Sequence, residues 1–357
     1  MTMMEDVMNY ILTHGGQRTL LYIPNLTPGQ CISNASITTY NNDLVINFRT
    51  LRYLLYIPGI MNTGTRTIVH PTDNFDEESS NWIGVYHPED QGLINAKQLP
   101  RSINQNYVRG REDIRLITWN EQLYGMCARP DIIKDRVIQE VIRFDNDLNP
   151  SRVSIITDNV EQWEKNWSPI EGHPFTSVYS FTTGDVVKID SSSNCTQLVY
   201  RSTTPYSEVL SGSSQVIRYK DYYITIVHNH YNYPRYQHKF LCYDSQGTLV
   251  SESQWFNLNP HNGIEFVGGM CIRDNVVYIT YTCFDTAPTL LTFSTEVLDN
   301  ILGGDLDIPE SINEPIDRSS SNNVYDYSSI IFKMCDPLKP YIDYPFLESL
   351  YNKTFKI

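Results

Sequence analysis

The chain lacks the short motifs by which several enzyme classes are recognised. Its seven cysteines include no C-x-x-C pair, and no G-x-G-x-x-G, G-x-x-x-x-G-K-S/T, G-x-S-x-G or H-E-x-x-H pattern occurs. These absences argue against nucleotide-binding folds, serine hydrolases and zinc sites built from paired cysteines. The odd number of cysteines also disfavours a disulfide scaffold and fits a reducing compartment. A D-x-D-like sequence, Asp145-Asn146-Asp147, lies in a predicted turn and is interpreted as that turn.

Positive charge is scarce as well. The 27 Lys and Arg residues face 41 Asp and Glu residues, which gives a formal net charge of -14. Sustained contact with a phosphate backbone needs a basic face, so the sequence predicts no nucleic-acid partner. The N-terminal segment is acidic and has no basic region followed by a long apolar run. We therefore expect no signal peptide, no membrane span and a cytoplasmic protein.

Short β-prone segments that end on polar residues are abundant. Between residues 211 and 285 they read S-Q-V-I, Y-I-T-I-V-H, K-F-L-C-Y-D, I-E-F-V-G-G-M and Y-I-T-Y-T-C-F-D. Similar strand pairs recur along the chain, beginning near residues 35, 121, 173, 220 and 274. A spacing of roughly 50 residues is typical of propeller blades with four short strands.

Five such units predict an all-β, five-bladed β-propeller that forms one domain over 1–357, with blades within about 20–300. A two-sheet sandwich is the alternative, but it would not need such even spacing. Residues 57–110 are rich in Pro, Gly, Asn and acidic residues, so we expect a long insertion after blade one. A short helix follows Leu290, and the acidic residues 303–357 are expected to wrap the ring or form a tail.

The charged run Arg111-Glu112-Asp113-Ile114-Arg115 directly precedes the apolar segment L-I-T-W. Such a run is often a solvated surface segment. Because this one abuts a blade strand, we expect its carboxylates to point toward the ring axis, with Glu112 and Arg115 in contact with substrate. A positioned carboxylic acid at a rim is what cleavage or formation of a glycosidic bond requires, and Asp113 is the candidate.

Aromatic and amide side chains are candidates for holding a sugar. Lys165, Asn166 and Trp167 together could hold an anion and stack on a sugar face. A loop packed on its own Trp is the alternative for this segment. Tyr236, in the hairpin of the fourth unit, is a second candidate for a sugar platform, and Gln215 in G-S-S-Q-V-I is added to the binding set.

Titratable residues at strand ends complete the candidate site. His228 and His238 come from two strands of one hairpin, but no carboxylate lies at a fixed spacing, so we expect no metal. Glu265 lies between apolar neighbours and must be either paired or functional. Asp285 ends the strand Y-T-C-F-D, from which a blade could deliver it to the rim.

The order of these segments resembles the five-bladed propellers of glycoside hydrolase family 130 and glycosyltransferase family 108, over about residues 31–297. Glu112-Asp113-Ile114-Arg115 is similar to the family's Glu-Asp-Pro-Arg motif, with Ile in place of Pro, which implies that Asp113 is the catalytic acid. Other segments resemble the family's Lys-bearing segment, Tyr-His-Gly strand end and Tyr-Gly-x-x-Asp strand, at 164–169, 227–229 and 281–285. Arg49 lies where the first blade of the family often offers an Arg.

The resemblance implies a carbohydrate-active enzyme. Phosphorylases of this kind place an Arg at the end of the third-blade strand, whereas this chain has Ser180 near that position. Loss of a guanidinium fork weakens the capture of inorganic phosphate. The leading hypothesis is therefore an inverting glycosyltransferase that uses a nucleotide sugar and no cofactor. Asp113 would act as base toward an acceptor glycan, and Arg49, Lys165 and His228 would neutralise the leaving phosphate.

Two alternatives stay open at this point. A glycoside hydrolase, or a phosphorylase, of the same fold would also use Asp113, and hydrolysis needs a second carboxylate to activate water. Glu265 and Asp285 are the candidates for that carboxylate. A non-catalytic glycan-binding propeller would instead bind sugar almost equally well without the carboxylate of Asp113.

Overall fold

A computed structural model describes most of the chain. The described residues are 7–24, 26, 31–51, 53–54, 67–68, 79–100, 110–131, 136–156, 165–190, 192–202, 205–230, 236–258, 265–283 and 287–303. Their regular structure is mainly β-strand, with two α-helices at Val7–Thr13 and Thr295–Gly303 and one 3-10 turn at Pro88–Asp90. The predicted all-β class and the helix after Leu290 are confirmed. Neither α-helix of this described part combines the length and apolarity needed to cross a bilayer.

The strands form five antiparallel blades, which confirms the predicted propeller. The innermost strands of neighbouring blades contact one another and line the ring axis. From the axis outward, blade one consists of Cys31–Tyr40, Asp43–Leu51, Ser79–Tyr86 and Asn95–Gln98. Blade two consists of Glu112–Trp119, Gln122–Asp131, Arg136–Phe144 and Pro150–Ile155. Blade three consists of Ser168–Pro169, Thr176–Ser180, Asp185–Asp190 and Cys195–Tyr200.

The last two blades complete the ring. Blade four begins with two short pieces, Ser211–Gly212 and Ile217–Tyr219, and continues with Tyr222–His230, Tyr236–Tyr243 and Leu249–Glu252. Blade five consists of Glu265–Arg273, Val276–Cys283, Ala287–Ser294 and the N-terminal strand Gln17–Leu20. Because its outer strand comes from the opposite end of the sequence, blade five closes the ring.

Tight turns explain why the hairpins form where the sequence predicts them. The first two strands of three blades are joined by two-residue turns in which both residues have positive φ. These residues are Asn41 and Asn42 (50° and 65°), Asn120 and Glu121 (49° and 59°), and Asp274 and Asn275 (51° and 61°). Asn and Asp tolerate this conformation, and its twist matches that of the paired strands.

The two helices pack together beneath blades four and five. Val7 and Ile11 of the first helix share one buried cluster with Val297 and Ile301 of the second. A hydrogen bond from Asn300 Nδ2 to the hydroxyl of Tyr10, at 3.0 Å, also joins them. The two ends of the described chain therefore stabilise the same junction that the N-terminal strand closes.

The bounds of the predicted insertion need correction. Its second half contains the third and fourth strands of blade one, Ser79–Tyr86 and Asn95–Gln98. Composition concealed these strands, because acidic and polar residues flank the apolar segment W-I-G-V-Y on both sides. Two short strands, Tyr53–Leu54 and Thr67–Ile68, pair with each other apart from the blades. Most of the intervening residues, and all of the predicted tail after Gly303, lie outside the described residues.

Glycines allow the inner strands of blades five and one to approach closely. A Cβ atom on Gly268 would lie 2.0 Å from the carbonyl oxygen of Ala35, and one on Gly269 would lie 2.4 Å from the backbone nitrogen of Ile37. Gln215 of blade four joins the same junction, because its Nε2 donates to the carbonyls of Ile37 and Met270 at 2.7 Å each. Three blades thus meet at the axis.

Substitution of Gly268 by Ala tests this close approach. The new methyl group would collide with backbone, so the free energy of unfolding should fall by about 2 kcal/mol or more. Gly303→Ala is the matched control, because no atom of the described residues lies within 4 Å of its added Cβ. Urea unfolding measures both variants. Equal midpoints for the two would contradict the packing described here.

Candidate functional site

The carboxylates of blade two lie at an irregularity of its inner strand. The pairing register shifts between Glu112 and Arg115, and Asp113 has a φ of 52°. Positive φ is uncommon for a residue with a side chain, and such strain accumulates at functional positions. A bulge also changes the direction in which a side chain points. The local backbone therefore presents Asp113 in a direction that a regular strand would not allow.

Asp113 is held by two side chains of blade one. Its Oδ1 accepts hydrogen bonds from Asn34 Nδ2 at 2.9 Å and from Arg49 Nη1 at 3.2 Å. Burial on its own would raise the pKa of the Asp113 carboxyl. The charge of Arg49, the hydrogen bond from Asn34 and the charge of Arg115 outweigh burial, so this pKa lies below its usual value. Asp113 is therefore ionised at neutral pH.

Glu112 shares the guanidinium of Arg49 and adds a lysine from the next blade. Its Oε1 lies 3.3 Å from Arg49 Nη2, and its Oε2 lies 2.9 Å from Lys165 Nζ. Burial and the neighbouring charge of Asp113 raise the pKa of Glu112. The charges of Arg49 and Lys165 oppose them and lower it overall. Arg49 thus bridges two carboxylates, and Lys165 extends the ion pairs toward blade three.

Arg115 donates hydrogen bonds to the backbone of blade four. Its Nε donates to the carbonyl of Ser213 at 2.7 Å, and its Nη2 donates to the carbonyl of Gly212 at 3.0 Å and to Asn166 Oδ1 at 3.3 Å. The guanidinium also lies 5.7 Å from the ring centre of Phe266. Burial lowers the pKa of Arg115 to about 10, so it keeps its charge at neutral pH.

His228 is connected to Arg115 through Ser213. Its Nδ1 is 2.7 Å from Ser213 Oγ, and its ring contacts those of Tyr236 and Phe266 at centroid distances of 5.3 and 5.5 Å. The residue is only 1% exposed. The predicted direct contact of His228 with phosphate or sugar is therefore replaced by a contact with Ser213, which in turn contacts Arg115.

Most of the predicted site residues form one connected network. The exposed fractions of its ion-paired side chains are 45% for Lys165, 22% for Asp113, 15% for Glu112 and 11% for Arg49. Asn166 and Tyr236 are half-buried beside them. The side chains best placed to meet a ligand are therefore Asp113 and Lys165.

Two predicted residues, Trp167 and Gln215, have structural roles instead. Trp167 is buried against Tyr179, at 5.3 Å between ring centroids, so it offers no free face to a sugar. The loop packed on its Trp was the correct alternative. Gln215 is wholly buried, and its amide is occupied by backbone groups of blades one and five. Neither residue is therefore accessible to a bound sugar.

Glu265 and His238 form a buried pair. Glu265 Oε1 accepts a hydrogen bond from the backbone nitrogen of Leu258 at 2.7 Å and lies 3.5 Å from His238 Nδ1. Both side chains are at most 1% exposed. These partners explain the buried carboxylate of Glu265, so a catalytic role has no support, and His238 is likewise too deep for substrate contact. Asp285 lies outside the described residues.

Several residues that support the site were not predictable from the sequence. Asn34 lies at a register shift in the inner strand of blade one, where alternation fails to predict its direction. Glu140 is wholly buried and accepts hydrogen bonds from Arg111 Nε at 2.6 Å and Arg129 Nη1 at 3.0 Å. These contacts anchor the residue that precedes Glu112. Their partners are distant in sequence, so no local motif could reveal them.

Among the described residues, no group of three or more His, Cys, Asp or Glu side chains is arranged to hold a metal ion. Asp145 Oδ1 accepts hydrogen bonds from the backbone nitrogens of Asp147 and Asn149, at 3.0 and 2.7 Å. The D-x-D-like sequence is therefore a turn, as predicted.

Comparison with known proteins finds similarity only in structure. No family model and no curated protein matches the chain. The β-1,2-mannobiose phosphorylase of Listeria innocua has a TM-score of 0.55 and 12% identity, covering 84% of this chain and 99% of that one. A putative glycoside hydrolase of Parabacteroides distasonis has a TM-score of 0.50 and 13% identity, covering 74% and 87%.

A third similar structure comes from glycoside hydrolase family 130, a family of mannoside phosphorylases that also contains hydrolases of β-1,2 mannosidic linkages in Candida mannan. Its TM-score is 0.51 at 10% identity, and the match covers 75% of this chain and 85% of that one. At these identities the likeness establishes the fold. The predicted five-bladed propeller fold is therefore confirmed for this chain.

Substitution of Arg49 by Met tests the ion pairs at the centre of the network. At pH 7 the free energy of unfolding should fall by about 2 kcal/mol, because two largely buried carboxylates lose their shared cation. The pKa values of Glu112 and Asp113 are lowered in the folded state, so the stabilisation is present at neutral pH and is lost as these carboxyls protonate. The deficit should therefore shrink below about pH 4.

Arg201→Met is the control for this measurement. Arg201 also pairs with a carboxylate, that of Asp185 at 2.7 Å, but it is 65% exposed. Its loss should cost no more than about 0.5 kcal/mol. Urea unfolding at several pH values gives both quantities. A deficit for Arg49→Met that is as large at pH 3 as at pH 7 would contradict the ionised pair.

Proposed function

We propose that the chain is an enzyme that acts on a glycosidic bond, and that it forms this bond as an inverting glycosyltransferase. The donor is a sugar with a phosphate-containing leaving group, as in a nucleotide sugar, and the acceptor is a sugar hydroxyl. The observation that carries the proposal is the ionised, partly exposed carboxylate of Asp113 at an irregular turn of the inner strand.

The charge state of Asp113 favours bond formation over bond cleavage. Cleavage requires a protonated acid beside the leaving oxygen, whereas transfer to an acceptor requires a base. An ionised carboxylate with 22% of its side chain exposed can accept the proton of an acceptor hydroxyl. The hydroxyl oxygen bonds to the anomeric carbon while the bond from that carbon to the phosphate oxygen breaks. The proton on Asp113 then passes to solvent.

The surroundings of Asp113 favour an anionic ligand, although the whole chain has a formal net charge of -14. Among the described residues, five cationic side chains lie in or beside the network against three carboxylates. They are Arg49, Arg111, Arg115, Arg129 and Lys165 against Glu112, Asp113 and Glu140. Lys165 is the most exposed of the ion-paired cations at the site and would meet the departing phosphate first.

Hydrolysis has weaker support. An inverting hydrolase needs one protonated acid and one base to activate water. Glu112 and Asp113 both have lowered pKa values, and the carboxylate of Glu265 is buried with its own partners. Glu112 and Asp113 therefore do not supply the protonated acid, and Glu265, at 1% exposure, lies too deep to contact a substrate.

Phosphorolysis is the second candidate. Lys165 and Arg49 would attract inorganic phosphate as well as a leaving phosphate, and the Listeria innocua neighbour is a phosphorylase. Against it, Ser180 takes the place of the expected Arg, and its Oγ accepts a hydrogen bond from Thr183 of its own turn at 3.2 Å. Mannose is the first sugar to test, because two neighbours act on β-1,2 mannosidic linkages or mannobiose.

Incubation with a panel of nucleotide sugars and sugar 1-phosphates, with and without simple acceptors, tests the reaction class. We expect acceptor-dependent release of the nucleotide, and Asp113→Asn should reduce its rate by about 100-fold or more, because the amide cannot take a proton. Release of inorganic phosphate from a sugar 1-phosphate would instead support a phosphorylase running in the synthetic direction.

Asp145→Asn is the matched control, since this carboxylate lies in the same blade and accepts hydrogen bonds from Asp147 and Asn149 of its own turn. It should retain full activity. Full activity of Asp113→Asn would contradict the catalytic assignment. Sugar binding without turnover, unchanged in Asp113→Asn, would instead support a glycan-binding propeller.

A further inference from the structure

Ser213 contacts two functional side chains at once. Its backbone carbonyl accepts the hydrogen bond from Arg115 Nε, and its hydroxyl lies 2.7 Å from His228 Nδ1. The residue is wholly buried, and its backbone nitrogen donates to the carbonyl of Ile226 at 3.1 Å. Ser213 is therefore fixed from both sides, and it joins a buried histidine to the cation beside Asp113.

The direction of the Ser213–His228 hydrogen bond follows from the burial of the hydroxyl. A buried hydroxyl hydrogen needs an acceptor, whereas its oxygen tolerates an unused lone pair better. Among the described residues, His228 Nδ1 is the acceptor within reach of this hydroxyl. We therefore expect the hydroxyl to donate, which leaves Nδ1 without a proton and places the proton of a neutral imidazole on Nε2.

We propose that Ser213 and His228 form a positioning pair: His228 accepts the Ser213 hydroxyl through Nδ1, and the Ser213 carbonyl thereby holds Arg115 beside Asp113. His228 acts through Ser213 rather than on the ligand itself, which agrees with its 1% exposure. Arg115 in turn supplies part of the positive charge that keeps the pKa of Asp113 low. The effect on catalysis rests on the proposed function, whereas the protonation of His228 does not.

The neighbouring Ser214 provides a matched control. It is equally buried, but its hydroxyl donates to the carbonyl of Gln215 at 2.9 Å and accepts from the backbone nitrogen of Ile226 at 2.9 Å. Ser213→Ala and Ser214→Ala each remove one buried hydroxyl from the same segment. A purely structural role would make the two variants lose stability without any change at His228.

The first measurement is made without any substrate. Two-dimensional nitrogen–proton NMR of histidine-labelled protein distinguishes the two neutral tautomers, and His228→Asn identifies the signal among the eight histidines. We expect the proton on Nε2 in the parent chain and in Ser214→Ala. In Ser213→Ala, we expect a larger fraction of His228 with the proton on Nδ1 than in the parent chain. A proton on Nδ1 in the parent chain would overturn the proposal.

The second measurement uses the reaction found with the donor panel. In His228→Asn, the amide oxygen can occupy the position that Nδ1 has in the parent chain. In His228→Gln, the longer side chain places its amide near the parent position of Nε2. His228→Asn should therefore keep most activity, while Ser213→Ala and His228→Leu should lower kcat/KM by about tenfold to 100-fold, because Arg115 is misplaced. Activity kept by His228→Gln and lost in His228→Asn would show that Nε2 acts on the ligand directly, and would overturn the proposal.

Discussion

The ion pair of Arg49 with Glu112 and Asp113 is the interaction on which the site depends. Arg49 lies near the end of the second strand of blade one, and the two carboxylates begin the inner strand of blade two, so the pair joins neighbouring blades. Burial alone would raise the pKa values of both carboxyls. The guanidinium reverses this effect, aided by Asn34. One cation therefore connects the packing of two blades with the protonation state of the candidate base.

The blades could be predicted from the sequence where their signals are local. Alternating apolar residues around turns such as Asn41-Asn42 specify a hairpin without reference to the rest of the chain. Two other elements gave no such signal. Ser79–Tyr86 was concealed by the acidic and polar residues around it, and Gln17–Leu20 pairs with a strand that begins at Ala287. Ring closure is a long-range constraint that no short window of sequence expresses.

The candidate site was predicted where residue chemistry leaves few choices. A charged run that abuts an apolar strand identified Asp113, although its positive φ was not foreseeable from the run itself. Trp167 was placed wrongly because residue type alone does not say whether an indole meets a sugar or the ring of Tyr179. Ser213 was missed because it acts through a backbone carbonyl and a buried hydroxyl, for which no pattern exists.

Asp113 can act as a base only if its carboxyl group is ionised in the free protein. Carbon NMR of protein labelled at the aspartate carboxyls, with Asp113→Asn to assign the signal, follows its protonation directly. We predict that Asp113 titrates below the usual aspartate pKa of about 3.9. Titration near neutral pH would rule out this role, because Asp113 would then be a proton donor suited to cleavage of the glycosidic bond.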